Sequence, residues 1–147
     1  MITLLRREFV VEMPLAKAWD HLARVEHWPS WAKHITKVEM TPRGELGPQS
    51  KGLIYLSNGL KSSFSMSEFN SRQNWKWVGN FIWLTVHYDH RFQSLNSQQT
   101  RLIWIVEAEG LGVSVFGRLF AGIYSKNLDK AIPLLIEEVN AANGRAA

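Results

Sequence analysis

"TRLIWIVEAEGLGVSVFGRLFAGIYSKNL", residues 100–128, changes its period halfway. Up to Glu109 apolar and polar residues alternate, with Leu102, Trp104, Val106 and Ala108 on one face. That is the spacing of a half-buried strand. After Gly110 and Gly112 the apolar side chains recur at Phe116, Leu119, Phe120, Ile123, Tyr124 and Leu128, then at Ala131, Leu135 and Val139. This is helical spacing sustained for about seven turns. Pro133 lies inside it and is expected to bend or divide the helix near Asp129. A sheet with one apolar face needs a cover, and this terminal helix is the only element long enough to supply one.

Working back from residue 100, the period of two persists to residue 51. In "LTVHYDHRFQSL" (84–95), Leu84, Val86, Tyr88, His90 and Phe92 share a face, and Thr85, His87, Asp89, Arg91 and Gln93 take the other. "WKWVGNF" (75–81) aligns Trp75, Trp77, Gly79 and Phe81, and "SSFSMSEF" (62–69) puts Phe64, Met66 and Glu68 in phase, with Glu68 at a strand end where it is expected to reach solvent. "LIYLS" precedes a hairpin turn centred on Asn58-Gly59. "TPRGELGPQS" (41–50) reads as a loop, and residues 35–40 and 2–12 as further strands. Between the first two strands, "PLAKAWDHLA" (14–23) has helical spacing behind Pro14. Pro29 ends that run, so "EHWPSWAKHI" (26–35) is a second short helix or turn. The expected order is a strand, two short helices, six antiparallel strands and one long helix, in a single α+β domain over residues 1–147.

The chain has 147 residues and no cysteine. That excludes a disulfide framework, a thiolate metal site and a cysteine nucleophile. The net charge of +4 is spread singly apart from Arg6-Arg7. It reads as a solubilising charge, with no nucleic-acid partner expected. No stretch reaches the roughly 18 apolar residues of a membrane span, and no secretory signal is expected before the alternating "ITLLRREFVVEM". A soluble, cytoplasmic protein is the expectation.

Several motifs together resemble a known pattern: "P-x-x-x-A-W-D-x-L" at 14–22, "W-P-S-W" at 28–31, "T-R-L-I-W-x-V-E" at 100–107, and the closing helix "LFAGIYSKNLDKAIPLLIEEV" with its proline. In that order they resemble the START-like, or SRPBCC, superfamily, in its polyketide cyclase/dehydrase and lipid-transport branch. The resemblance spans essentially the whole chain. It implies a helix-grip fold: a bent seven-stranded antiparallel sheet wrapped around the C-terminal helix, with an apolar tunnel between them. It also implies a small hydrophobic ligand such as a lipid, polyketide or isoprenoid. It does not imply one chemistry, because members bind, carry, cyclise or hydrolyse.

The expected pocket lies on the apolar face of the sheet. Phe64, Met66, Trp77, Phe81, Tyr88, Phe92 and Trp104 would line it, with Phe116, Phe120 and Tyr124 facing them from the helix. A ligand site of this kind is mostly apolar with a few placed polar groups. Trp19, Trp28 and Trp31 are expected to seal one end, Trp31 being the member expected to touch a ligand. His90 is the inward titratable group; with Tyr88 or Tyr124 it could orient a carbonyl or act as a general base. Three functions follow in order: a binding or carrier protein; a polyketide cyclase/aromatase or dehydratase using His90 and Tyr88; and an interaction module whose groove takes a partner segment. No cofactor and no metal are expected, because His87 and His90 point to opposite faces of a strand and no H-E-x-x-H spacing occurs. Ile103 and Ile105, on the outer face, suggest a homodimer contact or a covered edge.

Overall fold

The computed structural model describes residues 1–146 apart from Ile82 and Leu111. The side chain of Phe81, expected to face inward, lies outside the described residues, as do those of Arg145 and Ala146. The elements are β1 (Ile2–Val11), α1 (Leu15–Ala23), a 3-10 helix (Val25–Ser30), β2 (Ile35–Thr41), β3 (Lys51–Leu56), β4 (Lys61–Asn70), β5 (Asn74–Phe81), β6 (Leu84–Asn96), β7 (Gln99–Glu109) and α2 (Val113–Ala146). They form one antiparallel sheet in the order β1-β7-β6-β5-β4-β3-β2. α2 runs across its concave face, the helix-grip arrangement the motifs imply.

Each element follows from its local sequence. Pro14 sits at the N-terminus of α1 with φ −59° and ψ 150°. Its fixed φ suits a helix start and it has no N–H to leave unpaired. α1 buries Ala18, Trp19, Leu22 and Ala23 on one face. The Trp28 indole N–H donates to the Leu22 carbonyl at 2.9 Å. The Trp31 and Ala32 amides both donate to the Trp28 carbonyl, at 3.1 and 2.8 Å. These bonds fold the "WPSW" stretch back over the sheet.

α2 is about 51 Å long at 1.5 Å per residue and is not divided at Pro133. The proline forfeits one backbone bond, but Leu128, Ala131, Leu135 and Val139 are buried on both sides of it, so packing holds the axis. Polar ties add to this from Ser125 onward. Arg7 donates to Ser125 at 2.6 Å, the Glu12 amide donates to Asn140 at 2.9 Å, and His21 bonds Glu138 at 2.8 Å.

Strand geometry explains why Glu68 reaches solvent, as expected, and corrects the expectation of an edge at Ile103 and Ile105. The β4–β5 register shifts between Met66 and Glu68, so Glu68 pairs with Lys76 and Phe69 with Trp75. A bulge reverses which side chains face the core. Phe69 therefore packs on Trp19, with ring centroids 5.7 Å apart, while Glu68 turns outward and accepts from Asn74 at 2.6 Å. Ile103 and Ile105 do not lie on an edge. β7 is flanked by β1 and β6, which place Glu8 and Arg91 beside Ile103, and Arg6 and Asp89 beside Ile105.

Gly52 marks the tightest strand approach. A Cβ there would run into the Glu39 carbonyl and would stand 2.9 Å from the Phe64 ring. Gly52→Ala is expected to lower stability by about 2–3 kcal/mol through overpacking, read from the urea midpoint at unchanged slope. Gly144→Ala, which meets nothing within 4 Å, is the control and should be near neutral.

Candidate functional site

The interior has two parts with different character. The first lies under α1 and the 3-10 helix and is filled with rings. Trp75, His90 and Trp104 are register partners across β5, β6 and β7, so their side chains form one row on the concave face. Trp77 and Phe64 continue the surface, 4.7 Å apart. The "WPSW" rings close over the row: Trp28 lies 5.3 Å from Trp77 and 5.8 Å from His90, and Trp31 lies 5.9 Å from Trp104. Trp19 packs on Trp75 and Phe92 at 5.1 and 4.9 Å. Trp31, Phe64, Trp77, Phe92 and Trp104 are all buried, and Met66 packs against the cluster partly buried. These candidates are brought together, and each rests chiefly on another ring.

His90 sits inside this cluster, stacked on Trp75 at 5.0 Å and 4.7 Å from Trp77. Its Nδ1 is 3.4 Å from the Trp75 carbonyl. A carbonyl only accepts, so in this contact Nδ1 is the donor. Burial disfavours the imidazolium and pushes the pKa down to about 4, against smaller opposing contributions from Asp89 and from backbone bonds. His90 is therefore a neutral imidazole at pH 7. His87 points outward, with Nε2 3.1 Å from Glu109.

The second part lies under the first half of α2. Tyr88 from β6 and Tyr124 and Phe120 from α2 meet there, with Tyr88 5.8 Å from Tyr124 and Phe120 stacked on Tyr124 at 5.5 Å. Leu84, Val86, Val106 and Ala108 form the floor, and Leu4, Leu5 and Val113 form the sides. Tyr88 and Tyr124 are only partly buried as residues, and neither hydroxyl has a hydrogen-bond partner among the described residues. Burial raises both phenol pKa values far above the ordinary value, the nearby Tyr124 adding to the shift of Tyr88. Both stay protonated and can donate. What this end offers is an apolar wall with two neutral O–H groups in it.

Phe116 is a correction. It does not face the sheet across a pocket. It stands edge-on to Trp83, centroids 4.6 Å apart, at the outer end of α2, and is exposed. Helical spacing placed it one turn before Phe120, but its ring lies against Trp83 of the β5–β6 hairpin, while Val113 of the same turn packs on the apolar floor. Trp75 and Phe9 are core members that were not among the site candidates. The alternation in "WKW" carried the signal for Trp75. Phe9, 5.0 Å from Trp104, had only its strand phase to mark it.

Two open surface depressions lie away from the tyrosine pair. One, of about 340 Å³, is lined by Lys51, Gly52, Ser63 and Phe64, among others. The other, of about 450 Å³, is walled by His21, Arg24, His27, Ser30, Glu138 and Ala142. No helix among the described residues is long and apolar enough to cross a membrane.

No curated protein matches the chain. Solved structures match its fold over nearly its full length. A hypothetical protein from Helicobacter pylori aligns with TM-score 0.74 at 14% identity, covering 91% of this chain and 86% of that one. A protein from Thermobifida fusca aligns with TM-score 0.72 at 14% identity, covering 95% and 93%. A START superfamily protein from Mycobacterium smegmatis aligns with TM-score 0.66 at 12% identity, covering 94% and 97%. At these identities the likeness shows the fold. The sequence pattern described as "Polyketide cyclase / dehydrase and lipid transport" matches residues 3–132. With the sheet order, the covering helix and this match all in agreement, the chain belongs to the polyketide cyclase/dehydrase and lipid-transport family of START-like proteins.

Proposed function

We infer that the protein binds a small hydrophobic molecule carrying a hydrogen-bonding oxygen, held between β6, β7 and the first half of α2. The observation that carries this reading is the Tyr88–Tyr124 pair: two neutral hydroxyls without a hydrogen-bond partner among the described residues, set in an otherwise apolar wall. A polar group placed there at a desolvation cost is accounted for by a ligand that completes its hydrogen bonds. Apolar burial would supply affinity at roughly 25 cal/mol per Å² before association costs. The tyrosines would set orientation.

The cyclase or dehydratase reading requires His90 to exchange a proton with a substrate. His90 is ringed by Trp28, Trp75, Trp77 and Trp104, and its low pKa makes it a weak base at pH 7. Binding is therefore the better-supported function. The test is mass spectrometry of an organic extract of protein purified gently from its own host. One stoichiometric hydrophobic species with a carbonyl or hydroxyl is the expected result, and an empty extract counts against the proposal. For that species, Tyr88→Phe combined with Tyr124→Phe should weaken binding about 5- to 100-fold, two hydrogen bonds' worth. Stability should be unchanged or higher, since no protein bond is lost.

A further inference from the structure

We propose that the outer face of the first half of α2, with Trp83 at the tip of the β5–β6 hairpin, docks on the surface of an anionic lipid bilayer. α2 is apolar on two sides here. Phe120, Tyr124 and Leu128 face the sheet, while Val115, Leu119 and Ile123 form a stripe at four-residue spacing on the opposite side, exposed by 67%, 57% and 51%. Phe116 and Trp83 extend the patch at 37% and 49% exposure. A helix apolar all round normally lies inside something, and a contiguous exposed apolar patch marks a contact surface. The second half of the same helix is ordinary by comparison, carrying Asp129, Lys130 and Glu137 on its exposed side.

Charge selects the occupant. Between residues 113 and 128 the helix has two cations, Arg118 and Lys126, both exposed, and no carboxylate. Arg118 flanks the stripe and Lys126 continues it one turn later. The last carboxylate before the helix, Glu109, is engaged by His87 at 3.1 Å. A two-fold contact between copies through this face would set like charges against each other with nothing to pair them. Anionic headgroups pair them. An apolar stripe with flanking cations and an indole beside it is the chemistry of a helix seated at the headgroup boundary. The polar bonds that tie α2 to β1 and α1 run from Ser125 onward, which leaves the face ahead of them clear.

The experiment is vesicle flotation with the full chain. The vesicles are phosphatidylcholine alone or with about 30% phosphatidylglycerol, in low salt and in about 0.5 M NaCl, where charge attraction is largely screened. The protein is expected to float with the anionic vesicles in low salt and at least about tenfold less with the neutral ones or in high salt. Leu119→Asp with Ile123→Asp should reduce flotation at least about tenfold. Arg118→Ser and Lys126→Ser should each cost about fivefold and together remove most of the salt dependence. All four side chains are exposed, and circular dichroism checks that each variant is folded. Failure of the unaltered protein to float with anionic vesicles overturns the proposal. So does equal flotation of the double aspartate variant, or a solution dimer that this variant dissociates, which would make a second copy the occupant. Phospholipids carry carbonyls that the tyrosine site could also take, so Tyr88→Phe with Tyr124→Phe is floated beside the other variants. Unchanged flotation is expected for docking through the helix face, and loss of flotation in this variant alone overturns the proposal in favour of capture at the tyrosine site.

Discussion

Trp75→Ala is expected to lower the unfolding free energy by about 3–5 kcal/mol and the melting temperature by about 10 °C. Trp75 is fully buried and its ring meets four others: Trp19, Trp77, His90 and Phe92. Truncation would leave a hole bounded by β-strand side chains on one side and by α1 on the other, and neither can close it without losing the packing of Trp19. Trp75→Phe should cost far less. It keeps a ring in place and removes an indole N–H that is buried without a partner among the described residues, an unmet donor worth about 1–3 kcal/mol. Val115→Ala, on the exposed face, should fall within about 0.5 kcal/mol. Urea unfolding of the three variants provides the comparison. A loss under about 1 kcal/mol for Trp75→Ala would mean that the ring row is not the centre of the core.

Stability is expected to fall by about 3 kcal/mol between pH 6.5 and pH 4 on account of His90 alone. The folded pKa is depressed from 6.5 to about 4 because burial penalises the charged ring. Between these values the unfolded chain binds the proton and the folded chain does not, so stability rises with pH across that window. It is fully present above about 6.5 and is lost toward the folded pKa, at about 1.4 kcal/mol per unit. Burial lowers the His34 pKa in the same direction, and carboxylates titrate at the acid end, so the comparison must be differential. His90→Gln retains those contributions and removes only this one. Unfolding free energies of the two proteins, measured from pH 7.5 to 4.5, should diverge as pH falls. Parallel curves would show that His90 is not held neutral in the folded state.

The sequence by itself determined the order of elements, the inward face of most strands and the membership of the core. Alternation is a local property, and residues 84–93 and 100–108 each alternate, so Tyr88, His90, Phe92, Trp104 and Val106 were placed on the concave side correctly. The switch of period after Glu109 located the long helix for the same reason. Tertiary structure alone decided the rest. The bulge after Met66 exchanged Glu68 for Phe69, because a register shift is set by the partner strand and leaves no trace in one strand's pattern. Pro133 did not divide α2, because burial on both sides outweighed one missing bond. Phe116 carried the right spacing but packs edge-on to Trp83 of the β5–β6 hairpin, and spacing along one helix does not say which neighbour a side chain meets. The ring row and the tyrosine end also read alike in sequence, as aromatic residues on one face. Only the fold-back of "WPSW" over Trp75, His90 and Trp104 filled the first with indoles, while the second keeps two hydroxyls without a partner among the described residues.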